Sequence, residues 1–238
     1  MPTNFTVITP TGDRPGPLTI CYAMMAKQTI KPAQWIIIDD GLGESLKLPL
    51  DANIEFIKRE RNPGEPDHTL PIQLQKAINK VKTDKVIIIE DDDWYDKEYL
   101  EKTSNLLDQY DLVGLTHNTY YFVKDKEWFT HCNVVHSSLC STGFAKKAFP
   151  FFNQVRLDWP FVDLDLWRKG RRQLQLKHHL YRSEKIMVLG IKQLPGRIGV
   201  TYDSNRRQLK NGMRKDNDLS FFKSVVGNDF NLYTPYFE

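Results

Sequence analysis

Four short apolar runs, each ending in turn-forming residues, constrain this chain more than anything else in it. They are FTVIT at 5–9 before PTGDRPGP, WIII at 35–38 before DDGLG, IEFIK at 54–58 before RERNPGEPD, and VIII at 86–89 before EDDD. Runs this apolar, without polar alternation, suit strands buried on both faces, as in a parallel sheet. Between them, residues 18–28 and 72–81 read as helices. The first follows a Pro/Gly start, and the second carries Ile72, Leu74, Ala77, Ile78 and Val81. The order β-α-β, β-α-β predicts a doubly wound α/β fold, whose ligands gather at the carboxyl ends of the strands. Clusters at 9–15, 39–43 and 90–93 all fall at such ends, so Asp13, Asp39, Asp40 and the acidic run are placed to converge on one ligand. For Asp39-Asp40-Gly41 taken alone, a plain capped turn is the simpler account.

The fourth run poses a physical problem. In VIIIEDDDWYD, four consecutive carboxylates, Glu90 to Asp93, follow directly on a buried strand. Such repulsion costs stability unless a metal ion, basic side chains or open solvent lies among the charges.

The second half differs in character. Residues 120–123, the turn KDKE and residues 128–132 read as a β-hairpin, with further strand-like material at 133–135. FAKKAF reads as a short helix and FVDLDLWRKG as the start or middle of another. The chain carries no repeat, low-complexity tract or linker. We therefore read 1–238 as a single domain with two functional lobes, about 1–115 and about 116–238.

The net charge of +3 conceals a separation. Residues 168–215 hold 14 Lys/Arg against Glu184 and Asp203 alone, a local balance of +12; the remaining 19 Lys/Arg and 28 Asp/Glu give −9. A solvated basic surface accounts for this, and so does a face for a polyanion such as a nucleic-acid backbone or a phosphorylated substrate. No apolar run approaches the roughly 20 residues that cross a bilayer, so no membrane insertion is expected. The N-terminus lacks the basic and apolar regions of a signal peptide. Three cysteines without C-x-x-C spacing fit a reducing compartment. The expected location is the cytoplasm, or a host cytoplasm if the protein is viral.

The ordered set of motifs resembles a known family. VITPTGDRPGPLTICYAMMAKQTIKPAQWIIIDDG is similar to the opening of family-two glycosyltransferases with the GT-A fold, IIIEDDDWYDKEYL to their metal-binding segment, and FVDLDLWRKG to the stretch bearing the catalytic base of inverting members. The resemblance implies a GT-A-like, Rossmann-like α/β fold: a mostly parallel central sheet flanked by helices, with a mixed or antiparallel acceptor-side lobe. Residues 1–115 would then form the nucleotide-sugar-binding half and 116–238 the acceptor half.

It also implies roles. A nucleotide-sugar, most simply a UDP-sugar, would be held by Thr9, Pro10, Thr11, Asp13, Arg14, Asp39, Asp40, Arg61, Glu90 and Asp91, because ribose hydroxyls and base N–H groups are donors to carboxylates. Mn²⁺ or Mg²⁺, which prefer oxygen ligands, would sit on Asp92 and Asp93 and stabilise the departing diphosphate. If alternate residues share a side, Glu90 and Asp92 face the ligand together and Asp91 is the spare. Asp163 aligns with the base that takes the acceptor proton, with Asp165 its competitor; a purely structural reading makes both first-turn helix acids. The helix before the acidic run lacks the arginine this family often carries, leaving Arg59 or Arg61 as substitutes. A third metal ligand among His117, His136, His178 and His179 is not assigned.

The acceptor is less constrained. IKQLPGRIG is similar to a segment of small phage-type glycosyltransferases, and the basic region suits DNA bearing a hydroxymethylated base, reached in the groove or flipped out. Arg171, Arg172, Arg197, Arg206 and Arg207 are the candidate acceptor contacts. Surface or lipid-linked glycans and small molecules are the rival acceptors. A sugar-phosphate nucleotidyltransferase would need a Gly-rich basic loop where this chain has PTGDRPGP. A dehydrogenase would need G-x-G-x-x-G, and GLGESL lacks the third glycine. A non-catalytic nucleic-acid-binding module is the alternative of another class.

Overall fold

A computed structural model describes residues 4–43, 51–196 and 212–237. The first half follows the sequence reading closely: β1 (Thr6–Thr11), α1 (Pro15–Lys27), β2 (Gln34–Asp39), β3 (Ile54–Lys58), α2 (Leu70–Ile78) and β4 (Lys85–Ile88). Next come β5 (Trp94–Tyr95), α3 (Tyr99–Leu106), β6 (Leu112–Leu115), β7 (His117–Phe122), β8 (Glu127–Cys132), β9 (Thr142–Ala145) and α4 (Phe149–Asn153). The described remainder holds α5 (Val162–Arg172), β10 (His178–Tyr181), β11 (Val188–Lys192), β12 (Arg214–Lys215) and α6 (Ser220–Val226).

Among the described residues, seven strands form one sheet in the order β10-β6-β9-β4-β1-β2-β3. β4, β1, β2 and β3 run parallel, whereas β9 lies antiparallel between β4 and β6. Every residue of β1 and β2 is buried, because the sheet is covered on both faces. Strand alternation divides the apolar side chains between the two faces. Val7, Trp35 and Ile37 pack with Leu18 and Cys21 of α1 and Leu100 of α3. Ile8, Ile36 and Ile38 pack with Leu74 and Ile78 of α2, Phe152 of α4 and Trp167 of α5. β3 is only half-buried, contrary to the expectation for 54–58, because it is the last strand of the sheet in that order.

A second sheet has the order β12-β8-β7-β11-β5, with β7 and β8 forming the expected hairpin. Its core joins Met24 of α1 to Tyr121, Leu189, Ile191 and Phe222. Two short-range expectations fail. Residues 133–135 do not continue as strand: the Asn133 side chain turns back to accept from the Val135 amide at 3.3 Å, and Val134 is exposed. FAKKAF is not one helix, because Phe144 and Ala145 end β9 and a single 3-10 turn at Lys146–Ala148 leads into α4.

The register places Thr11 beside Asp39, so the ends of β1 and β2 share one edge. That edge is tied to α2 by a buried ion pair. Arg59, after β3, donates to Asp40 at 2.9 Å and to Glu65 at 2.7 Å, and Thr69, before α2, donates to the same Asp40 carboxylate. Arg59 and Asp40 side chains are 2% and 0% exposed. Removing one member of such a pair leaves the other charge uncompensated in a low-dielectric site. Arg59→Met should therefore lower unfolding stability by about 3 kcal/mol, read as a shift of the urea midpoint at unchanged slope.

Candidate active site

The turn after β1 is held by its own backbone chemistry. Asp13 sits at φ 55°, a conformation Asp tolerates, and its carboxylate accepts from the Leu42 and Gly43 amides at 3.1 and 2.8 Å. The two loops meet so closely that a Cβ on Gly41 would lie 2.3 Å from the Asp13 nitrogen. Asp39 accepts from the Gly41 amide at 2.8 Å and from Lys58 at 3.1 Å. The Asp-Asp-Gly motif thus builds the rim: Asp39 and Asp13 fasten the loops, and Asp40 anchors Arg59.

Residues 90–93 form a turn between β4 and β5 rather than an extended strand, so the expected alternation of side chains does not hold. Asp91 is not a spare. It accepts from Thr11 Oγ1 at 2.6 Å and from Arg14 at 3.1 Å, while Asp92 accepts from the same guanidinium at 2.7 Å. Asp93 turns the other way, towards β11, which pairs with β5. Its Oδ1 accepts from the Ile191 amide at 2.8 Å and lies 3.4 Å from Lys192 Nζ, which is 4.0 Å from Asp92. Among the described residues, the positive charges at the four carboxylates are therefore Arg14 and Lys192.

Burial drives the electrostatics here, and the two cations oppose it. Asp91 is pushed up to about 7 by burial, against the pull of Arg14. Asp93 is pushed up to about 6 by burial, against Lys192. Asp92 is held below the usual carboxylate range, because Arg14 and Lys192 together outweigh its burial. Glu90 is raised by burial and by Asp93. Burial disfavours the charge on Lys192, but Asp93, Asp92 and Glu90 more than offset it.

All of this opens on a cleft of about 500 Å³. Pro10, Thr11, Arg14, Glu90, Asp91 and Asp92 line it together with Asp163, on the first turn of α5. Burial pushes the Asp163 carboxyl up to about 6. Asp165 is not on the lining, and its carboxylate lies 3.2 Å from Lys169 one helical turn on.

Several expected contacts point elsewhere. Thr9 is buried in the core, accepting from Trp35 Nε1 at 3.0 Å. Asp13, Asp39, Asp40 and Asp93 are not on the lining, and Arg61 donates outside it to the Pro66 carbonyl at 3.0 Å. None of the four histidines considered as a metal ligand lines the cleft: His179 stacks on Tyr110, for example, and Asn133 contacts His136. The lining histidine is His68, which the sequence did not single out. Lys192, Cys140 and Tyr120 also line the cleft without having been assigned to it: Lys192 stands in IKQLPGRIG and Tyr120 in the expected hairpin, but only tertiary pairing brings them to the acidic turn. Of the candidate acceptor residues, Arg171 and Arg172 are exposed on the last turn of α5, and Arg171 donates to the Val135 carbonyl at 3.1 Å. Arg197, Arg206 and Arg207 lie outside the described residues.

The donor set fits a hard divalent cation. Ligand atoms of Glu90, Asp93 and Cys140 lie within 4.8 Å of one another. Asp93 Oδ2 is buried with no hydrogen-bond partner among the described residues. Burial, with Asp93 and Glu90 adding to it, keeps the Cys140 thiol protonated, leaving carboxylate oxygens as the effective donors. The expected Asp92–Asp93 pair is thus divided, with Asp93 grouped with Glu90 and Asp92 on Arg14.

A sequence profile described as Glycosyl transferase family 2 matches residues 6–160. The chain belongs to this family. The matched stretch contains the acidic turn and ends just before α5. No curated protein sequence matches the chain. Among solved structures, S. aureus TarS 1-349 in complex with UDP aligns at TM-score 0.57 and 14% identity, over 79% of this chain and 60% of that one. The same TarS fragment in complex with UDP-GlcNAc aligns at 0.56 and 14%, over 98% and 73%. The mannosyltransferase PcManGT from Pyrobaculum calidifontis, in complex with GDP-Man and Mn²⁺, aligns at 0.59 and 10%, over 99% and 71%. The family 2 chain therefore spans only part of these neighbours, with which it shares the GT-A-like fold. Among its described residues no helix is long and apolar enough to cross a membrane.

In this family 2 cleft, Arg14 compensates two buried carboxylates at once. Arg14→Met should cost about 3 kcal/mol at pH 8, and less at pH 5. Without the guanidinium Asp91 is raised further above its unfolded value and Asp92 loses a charge that holds it down, so folding takes up more protons than in the wild type and the variant loses stability as pH rises. Denaturation at the two pH values checks the sign.

Proposed function

We propose that this chain transfers a glycosyl group from a nucleoside diphosphate sugar, most simply a UDP-sugar, to an acceptor hydroxyl with inversion. The observation that carries the reading is that Asp163 opens on the same cleft as Glu90, Asp91 and Asp92. A donor lying along the acidic wall would present its anomeric carbon towards α5. The acceptor oxygen then bonds to that carbon on the face opposite the diphosphate, the bond to the diphosphate oxygen breaks, and the hydroxyl proton passes to Asp163. A carboxylate raised to about 6 by burial is a stronger base than an ordinary one, yet is still mostly ionised near neutrality. Thr11 and Arg14 would hold Asp91 and Asp92 in place beneath the nucleotide. Glu90 and Asp93 would hold Mn²⁺ or Mg²⁺, whose contribution when bound is to stabilise charge on the departing diphosphate.

For the acceptor, the basic stretch at 168–215 supports a hydroxymethylated base in DNA, with Arg171, Arg172, Arg197, Arg206 and Arg207 following the phosphates. The donor half would be about 1–115 and the acceptor half about 116–238. Sugar transfer to hydroxymethylated duplex but not to unmodified duplex, weakening steeply with salt, is the expected result. Equal transfer to a free saccharide, indifferent to DNA, would replace this acceptor with a glycan. Duplex binding without turnover of any nucleotide-sugar, with or without Mn²⁺, would make the protein a binding module.

Asp163→Asn should lower kcat by about 10²–10⁴-fold while nucleoside diphosphate affinity changes little, and Asp165→Asn should cost far less because its carboxylate faces Lys169. Because the base must be ionised, kcat/KM in the wild type should fall tenfold per pH unit below about 6. A flat profile between pH 5 and 8 would remove Asp163 from that role.

A further inference from the structure

The donor reading leaves Lys192 without a task. It ends β11, lines the cleft, and places its ammonium 3.4 Å from Asp93, 4.0 Å from Asp92 and 5.7 Å from the centre of the Tyr120 ring. The ring itself lies over Gly190, where a Cβ would come within 2.5 Å of it. Lysine is a compact charge on a flexible stem, with three donors that follow whichever anion is nearest. Asp93 does not depend on it, since the Ile191 amide holds the same carboxylate oxygen at 2.8 Å. Lys192 can therefore leave without releasing Asp93.

We infer that Lys192 is an exchangeable cation: it neutralises Asp92 and Asp93 in the free protein and moves to the diphosphate when the nucleotide binds. This rests on the donor reading above. Lys192 would oppose a divalent ion held by Glu90 and Asp93, because its ammonium lies 3.4 Å from Asp93, so metal alone would bind against it. A diphosphate in the cleft offers the ammonium a new partner and removes that opposition. Metal and nucleoside diphosphate then bind cooperatively, and the coupling is reciprocal. The group contacted is the terminal phosphate, so a nucleoside monophosphate gains little from it.

The test uses the whole chain and three variants, Lys192→Met, Lys192→Arg and Tyr120→Leu, with UDP and UMP as probes and GDP and GMP in parallel. Calorimetry gives nucleotide affinity at saturating Mg²⁺, and electron paramagnetic resonance gives free Mn²⁺ without nucleotide. Lys192→Met should weaken diphosphate binding by about tenfold or more and leave monophosphate binding within about twofold. The same variant should bind Mn²⁺ alone more tightly than the wild type. Lys192→Arg should restore most of the diphosphate affinity, and Tyr120→Leu should shift both constants in the Lys192→Met direction, more weakly. A lysine with only a structural role would lower metal, diphosphate and monophosphate binding together, and that result overturns the inference. Unchanged diphosphate affinity in Lys192→Met overturns it too, while leaving the donor reading intact. A wild type that binds none of the four nucleotides overturns the donor reading and this inference with it.

Discussion

Four adjacent carboxylates at the end of a buried strand are tolerable only because two cations from elsewhere in the chain stand among them. Arg14 comes from the turn after β1 and Lys192 from the end of β11, so the neutralisation draws on both sheets. The contacts also fix geometry. Arg14 forks across Asp91 and Asp92, which fastens the acidic turn to the start of α1. The Ile191 amide on Asp93 fastens the same turn to the second sheet. The cleft between the sheets is therefore shaped by the arrangement that makes its charge affordable.

That arrangement leaves one wall closely paired within itself and the other more open. On the wall built at the ends of β1 and β2, nearly every polar group has an internal partner: Asp13 on two amides, Asp39 on Gly41 and Lys58, Asp40 on Arg59 and Thr69. A wall preorganised in this way needs little rearrangement when a ligand arrives. Across the cleft, Asp163 stands at the start of α5, where burial raises its proton affinity against backbone hydrogen bonds of the helix start that lower it. Its helix then exposes Leu164, Arg168, Arg171 and Arg172, a surface open to whatever acceptor is used.

The sequence revealed the donor wall well because its strands are continuous apolar runs and its loops carry turn residues whose chemistry is local. β1, β2, β3 and β4 fall within a few residues of the expected positions, and Asp163 lies on the lining of the cleft. Side-chain directions were harder to read. Thr9 and Thr11 differ by two positions in one strand, yet Thr9 meets Trp35 in the core while Thr11 reaches Asp91 at the strand end. Alternation failed at residues 90–93 because the strand had already ended. Lys192 stands in IKQLPGRIG, a segment the sequence singled out, but its place beside Asp93 follows from the pairing of β11 with β5 and not from its neighbours in the chain.

The antiparallel β9 has a consequence for how the molecule is made. β4 is an interior strand only because β9 covers its second edge, and β9 lies at residues 142–145. During synthesis the four parallel strands emerge before β9, leaving one edge of Lys85–Ile88 unpaired until much more of the chain has appeared. Completion of the central sheet is thus a late, long-range event, with the slow closure such pairings carry. The nascent protein would offer chaperones, or a neighbouring copy, an open strand beside the acidic turn before the cleft has a second wall.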